Sequence, residues 1–106
     1  MADTVRGQIL LDALNLTEGD RNASYGSPHP NLTTFAKLVE AYIKGLGYEG
    51  PAMDSVDGSV IMELAKVSRV PANKHHMDNY KDGAAYMAIA GECATILAQS
   101  TMKGAE

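Results

Sequence analysis

Apolar side chains recur along this chain every three to four residues, the spacing of an α-helix, and almost nowhere every second residue, the spacing of a β-strand. Stretches that contain glycine or proline interrupt the pattern, and both residues end helices. The predicted helices run from about Thr4 to Leu16, from Asn31 or Thr33 into the stretch KGLGYEGP, from Asp54 or Asp57 to the residue before Pro71, and from about His76 to Leu97. The pattern therefore predicts an all-α, four-helix bundle-like fold.

The length of the chain, 106 residues, suits one domain, which we expect to span residues 1–106 with frayed ends at 1–3 and 99–106. One Phe and no Trp leave the core to Leu, Ile, Val, Ala and six Met. Small or flexible apolar residues of this kind suit closely packed helices.

The charge balance narrows the class of partner. The formal net charge is −4, whereas proteins that coat duplex nucleic acid carry a basic surface, so we expect no extended nucleic-acid partner. No apolar run approaches the length of a membrane span, and MADTVRGQILLDAL does not resemble a secretion signal, so we expect no membrane partner. A single cysteine, Cys93, which we interpret as a small core residue, fits a cytoplasmic location.

The last predicted helix carries acidic residues on one side and apolar residues on another. On a helical projection, one row contains Asp78, Asp82, Ala85, Ile89, Glu92 and Ile96. A second, apolar row contains Met77, Tyr80, Ala84 and Met87. Apolar residues on two sides indicate burial around much of the helix. We therefore predict that the acidic row faces inward and that the protein forms a homo-oligomer.

Asp78 and Asp82 are one helical turn apart, so their carboxylates repel each other by roughly 0.2–0.5 kcal/mol even when exposed. Burial raises this cost, and a divalent cation removes it. Oxygen ligands alone suit Mg²⁺, which makes both aspartates candidate metal ligands. The alternative places Asp78 in the first helical turn, where the helix dipole favours it, and pairs Asp82 with a basic side chain.

The third predicted helix adds one carboxylate and two basic residues. Its predicted core face contains Asp57, Val60, Ile61, Leu64 and Ser68. Asp57 is either a further metal ligand or a helix cap, since DSVD offers two aspartates for capping. Lys66 and Arg69 are three residues apart, so they either reach one phosphate together or form a solvated basic edge.

The loop before the second predicted helix reads GDRNASYGSPHPNL, residues 19–32. A plain linker needs neither an arginine nor an aromatic residue. Arg21 and Tyr25 therefore either contact a ligand or anchor the loop to the core. Gly26, next to Tyr25, supplies a backbone conformation that a larger residue would resist.

The order of polar motifs along the chain resembles that of a family of small tailed-phage proteins of unknown function. The motifs are GDR…YG…N, then a long helix, then D…E-x-x-K-x-x-R and finally D-x-x-x-D-x-x-x-Y. The resemblance extends from Ile9 to about Glu92. The matching residues are Gly19, Asp20, Arg21, Tyr25, Gly26, Asn31, Asp57, Lys66, Arg69, Asp78, Asp82 and Tyr86.

That family is in turn similar to the all-α nucleoside triphosphate pyrophosphohydrolases of MazG type. Those enzymes hold Mg²⁺ with acidic residues on two neighbouring helices, typically E-x-x-E on one and E-x-x-D on the next. This chain departs from the pattern. Its third helix offers Asp57 and Glu63 without E-x-x-E, and its fourth offers Asp78 and Asp82 in place of E-x-x-D.

The resemblance implies a phage-encoded, Mg²⁺-dependent hydrolase of nucleoside triphosphates or related phosphorylated nucleotides, acting in the host cytoplasm. It assigns catalysis to Asp78 and Asp82, and metal binding to these two with Asp57 and Glu63. The residues implied to bind the nucleotide are Arg21, Tyr25, Asn31, Lys66 and Arg69. One alternative is a non-catalytic module that sequesters a host nucleotide signal. Another is a structural helper that binds a protein through its Ala- and Met-rich faces.

Overall fold

The computed structural model of the chain describes residues 2–18 and 27–105, with side chains as far as residue 100. Its helices are α1 (Val5–Thr17), α2 (Pro28–Gly45), α3 (Ser55–Arg69) and α4 (Met77–Ala105), with a 3₁₀ turn at Val70–Ala72. These residues contain no β-strand, so the predicted all-α fold is confirmed. None of the helices in this part of the chain has the length and hydropathy needed to traverse a lipid bilayer.

Two helix boundaries differ from the predictions. α2 begins at Pro28 rather than near Asn31 or Thr33. Proline suits the first helical position, because its fixed backbone angle matches the helix and it lacks an N–H that would have no partner there. α4 continues to Ala105, beyond the predicted end at Leu97, because no proline follows to stop it.

α3 and α4 form the most extensive helix pair and run antiparallel. Near the start of α3, the Ser59 hydroxyl donates a hydrogen bond to the Tyr86 carbonyl oxygen at 2.6 Å. Farther along α3, Lys66 Nζ lies 3.0 Å from Asp82 Oδ2. Rising residue numbers on α3 therefore meet falling numbers on α4, which defines the antiparallel direction.

The outer helices rest on this central pair. α1 packs against α4, and α2 packs against α3 with a smaller contact on α4. An ion pair between Asp12 and Lys81 at 3.0 Å joins α1 to α4. A hydrogen bond between Ser55 Oγ and His29 Nδ1 at 2.7 Å joins α3 to α2. The molecule measures 45 × 36 × 23 Å, and its shortest dimension is about two helix diameters.

Small side chains make up the core of the described residues. The buried apolar residues are Ala13, Leu32, Ala36, Ala85, Ala90 and Cys93, and the buried polar residues are Ser55, Ser59 and Asn79. The predicted core position of Cys93 is confirmed, since only 1% of its surface is exposed. Side chains of this size allow helix backbones to approach closely.

The predicted core face of α3 is wrong for Val60, Leu64 and Ser68, which are exposed. The buried positions are instead Ser55, Gly58 and Ser59. The reason is steric, because α3 contacts helices on two sides and only short side chains fit between the backbones. Apolar spacing alone pointed to the larger residues.

Gly58 lies where α2 approaches α3 most tightly. A Cβ placed at Gly58 would lie 2.6 Å from the Leu32 carbonyl oxygen and 3.5 Å from the Ala36 Cβ. The carbonyl oxygen belongs to the backbone of α2, so it has no flexible side chain that could move aside. The contact therefore requires glycine.

We predict that Gly58→Ala lowers the free energy of unfolding by about 1–3 kcal/mol, because α2 must move away from α3. Urea unfolding followed by circular dichroism measures this change. Gly45→Ala is the matched control, since nothing lies within 4 Å of its added Cβ. We expect the control to gain about 0.4–1 kcal/mol, because alanine restricts the unfolded chain. Equal stabilities of Gly58→Ala and the wild type would contradict the tight contact.

Glu40 ties the segment before α3 to α2. Its carboxylate accepts a hydrogen bond from the Met53 backbone N–H at 2.6 Å and pairs with Lys44 at 3.0 Å and Lys37 at 3.4 Å. These contacts, the Met53 hydrogen bond foremost, lower the pKa of Glu40 from its usual 4.5 to about 2.

Because the pKa of Glu40 is lower in the folded protein than in the unfolded chain, its contribution to stability is complete above about pH 4.5 and is lost as the pH falls towards about 2. We expect Glu40→Gln to flatten this part of the stability profile. Urea unfolding at a series of pH values measures the effect. Glu92→Gln, at an exposed position of α4, controls for the loss of one negative charge. A Glu40→Gln profile identical to that of the wild type would exclude the proposed tether.

Candidate functional site

The acidic row of α4 does not face inward as a whole. Asp78 and Glu92 are exposed, so the predicted inward orientation is wrong for these two residues, while Asp82 is half-buried. The contact with α3 determines this orientation. It turns small residues such as Gly83 and Cys93 to the centre and leaves the acidic row towards the edge of the helix pair.

α1 and α4 border a cleft of about 290 Å³. Its lining residues are Asp12, Asn15 and Leu16 of α1 and Asp78, Lys81 and Asp82 of α4. The volume is close to the lower limit of small-molecule sites, about 300 Å³. The three aspartates give the cleft an acidic lining, so an anionic ligand requires an accompanying cation.

Sequence reasoning missed Lys81 and the α1 residues of this cleft, and among these Asp12 has a recognisable sequence signal. It interrupts the apolar run ILLDAL in α1, and a lone carboxylate in such a run is the signal that could have identified it. Hydrogen bonds from Gln8 at 2.9 Å and from Lys81 lower the pKa of Asp12. The same pairing raises the pKa of Lys81, with a smaller contribution from Asp78. Both groups therefore stay charged near neutral pH.

Asp82 is paired with a basic side chain, as one of the two interpretations of the sequence predicted. Lys66 and Asp82 are 17% and 24% exposed, and the ion pair crosses the contact between α3 and α4. Lys66 thus points towards α4, whereas Arg69 is exposed at the last position of α3.

Glu63 lies in the same helix contact. A Cβ at Gly83 would come within 2.9 Å of Glu63 Oε2, so the missing side chain makes room for this carboxylate. Oε2 is buried and has no hydrogen-bond partner among the described residues. A buried acceptor without a partner is uncommon in folded proteins, and water or an ion can satisfy it.

The other predicted site residues lie elsewhere. Asp57 completes a capping box at the start of α3, where its Oδ2 accepts from the Asp54 backbone N–H at 2.9 Å. The predicted capping role of DSVD is therefore confirmed for both aspartates. Asn31 lies on the exposed side of the first turn of α2. Arg21 and Tyr25 fall outside the described residues.

Within residues 2–18 and 27–105, no three or more His, Cys, Asp or Glu side chains come together as a metal cluster. Magnesium in proteins commonly takes only one or two carboxylates and completes its ligands with phosphate oxygens and water. Asp78 and Asp82, one turn apart and lining the same cleft, fit this smaller ligand set.

We predict that Lys66→Met and Asp82→Asn each lower the free energy of unfolding by about 1–3 kcal/mol, because each leaves the other group half-buried without its partner. Urea unfolding of both single variants and the double variant measures their coupling, which we expect to be about 0.5–3 kcal/mol. Lys74→Met, at an exposed position between α3 and α4, is the control and should change stability by no more than about 0.5 kcal/mol. Strictly additive effects of the two substitutions would rule out a structural ion pair.

Comparisons with known proteins assign the chain to a family whose activity is unknown. A family model described as a domain of unknown function, DUF6378, matches residues 8–94. The Gene 55 protein of Mycobacterium phage D29 is 32% identical over 78 residues, a match that covers 74% of this chain and 48% of that protein. The chain thus spans about half the length of this relative. No solved structure matches the chain. Both matches are consistent with the predicted phage family, and neither is to a MazG-type enzyme. The chain belongs to the DUF6378 family, whose function is unknown.

Proposed function

We propose that this protein binds a phosphorylated nucleotide in the α1–α4 cleft together with Mg²⁺ and hydrolyses it. The observation that carries the proposal is the position of Asp78 and Asp82, which lie one turn apart on α4 and line the cleft beside Lys81. The substrate class is proposed from the resemblance of the polar residue pattern to a phage family that is in turn similar to MazG-type enzymes.

Electrostatics supports a metal-assisted ligand rather than a bare anion. The basic residues at the cleft are already paired, Lys81 with Asp12 and Lys66 with Asp82. The lining therefore keeps a net negative charge, and the whole chain carries −4. Phosphate groups would be repelled by this lining unless a cation lies between them and the aspartates.

The residues of the cleft have distinct roles in the proposal. Asp78, which is exposed, and Asp82 would hold Mg²⁺, which polarises phosphate oxygens and acidifies water when bound. Lys66 fixes Asp82 by holding its Oδ2 atom across the α3–α4 contact. Lys81, oriented by Asp12, would donate a hydrogen bond to a phosphate oxygen.

Further residues could complete the nucleotide site. Arg21 and Tyr25 are proposed from the resemblance to contact the phosphates and the base. Arg69 is the exposed basic residue closest in sequence to Lys66 and is proposed to reach a terminal phosphate.

We predict that the purified protein releases pyrophosphate or phosphate from at least one member of a nucleoside triphosphate panel in the presence of Mg²⁺. Asp78→Asn should lower this rate at least about tenfold, because it removes one proposed metal ligand. Asp78 is exposed, so the substitution should leave folding intact. Glu92→Gln, which alters another exposed acid of α4, is the control and should keep the wild-type rate.

A non-catalytic nucleotide-binding module is the second candidate. The observation that favours it is that Asp82 is paired with Lys66 at 3.0 Å and Asp12 with Lys81 at 3.0 Å, so two of the three cleft aspartates have a basic partner that would compete with a metal. Calorimetry separates the candidates. Stoichiometric binding with the nucleotide recovered intact after denaturation supports the second, and no binding of any nucleotide contradicts both.

A further inference from the structure

One face of the α3–α4 pair is apolar and exposed. Its large side chains are Val60, Leu64 and Val67 on α3 and Met77, Tyr80 and Met87 on α4. Leu64 and Met87 expose 58% and 51% of their surface. We refer to these six residues, with the small residues between them on α4, as the outer face.

The α3 residues and the α4 residues of the outer face lie on the same side of the helix pair, as the contacts between the two helices show. Ser59 and Tyr86 meet between the helices, and Val60 and Met87 each follow one of them by one position. One position rotates a side chain by about 100° around the helix axis. Because the helices are antiparallel, this same rotation on each helix carries both side chains to the same side.

The second contact between the helices gives the same result. Glu63 lies against Gly83, and the residues that follow them are Leu64 and Ala84. Residues one position before the contacts point to the opposite side. On that side, Gly58, which precedes Ser59, meets α2. Asp82, which precedes Gly83, lines the cleft with residues of α1. The outer helices therefore cover the opposite side and leave the outer face without a covering helix from the described part of the chain.

The α4 row of the outer face has the spacing of a coiled coil. Its members are Met77, Tyr80, Ala84, Met87, Gly91 and Ala94, alternating between three and four residues apart. This heptad pattern keeps one row of side chains in line with the helix axis and suits a second helix packed alongside. Neither this row nor the α3 row contains a charged residue.

We infer that a second copy of this chain docks on the outer face, so that two α3–α4 pairs pack face to face around an apolar core. A twofold dimer brings the same patch of each chain together, which is unfavourable for charged patches and favourable for an uncharged one. A basic protein partner would instead be drawn to the acidic surfaces of a chain whose net charge is −4.

The surface area of the chain is consistent with such a partner. A compact monomer of 11.3 kDa exposes about 5,700 Å², whereas this chain exposes 7327 Å². The excess, about 1,600 Å², is larger than the roughly 800 Å² that each partner contributes to a standard protein interface. The chain as a whole therefore exposes more surface than a compact monomer of its mass, as expected of a chain that covers one face with a partner.

Sedimentation equilibrium tests the proposal. We expect the wild type to have at least twice the 11.3 kDa mass of the chain. Leu64→Glu and Met87→Glu should weaken self-association at least about tenfold, because a charge would enter the apolar contact. Leu38→Glu is the matched control, since Leu38 is 67% exposed but lies on α2. It should keep the wild-type mass, and circular dichroism should show that all the variants are folded.

Oxidation of Met87 by hydrogen peroxide gives a second measurement on the unaltered protein. We expect Met87 to be oxidised slowly at high protein concentration and faster on dilution, as copies separate and expose its side chain. A monomeric wild type, or a rate of Met87 oxidation that does not depend on protein concentration, would overturn the proposal. Equal loss of association in Leu38→Glu would also overturn it, because the interface would then lie elsewhere.

Discussion

The antiparallel contact between α3 and α4 is the constraint on which the rest of the structure depends. It brings Ser59 to the Tyr86 carbonyl and Lys66 to Asp82, so the two helices are joined by hydrogen bonds and charge as well as by packing. Polar groups in such a contact are tolerated only when they are paired. The pairing fixes how far each helix is rotated, and that rotation decides which residues face outward.

Two surfaces with different chemistry follow from this rotation. One side of α4 turns Asp78, Lys81 and Asp82 towards α1 and forms the acidic cleft. The other side exposes Met87 and its apolar neighbours together with Leu64 of α3. Because the two surfaces lie on opposite sides of the helix pair, the proposed ligand binding and the proposed self-association can be tested separately.

Much of the fold could be predicted from the sequence, because helix type depends on local spacing and on breakers such as Pro71. The capping role of Asp54 and Asp57 was also readable from local sequence. The helix faces that point into the core could not be predicted. Spacing identifies the apolar rows of a helix, but it does not show which row a neighbouring helix will contact. Here the closest contacts select Gly58 and Ser59, and the larger Leu64 remains outside. The contribution of Asp12 to the cleft depends on how α1 packs against α4, and the local sequence does not predict that packing.

Nuclear magnetic resonance can locate the proposed ligand site on the unaltered protein. The amide resonances of the protein are followed while a nucleoside triphosphate and Mg²⁺ are added together, then separately. We expect the largest shifts at Asp12, Asn15, Asp78, Lys81 and Asp82, and we expect them only when both the nucleotide and Mg²⁺ are present. Shifts confined to α2, or no shifts at saturating nucleotide and metal, would contradict the assignment of the α1–α4 cleft.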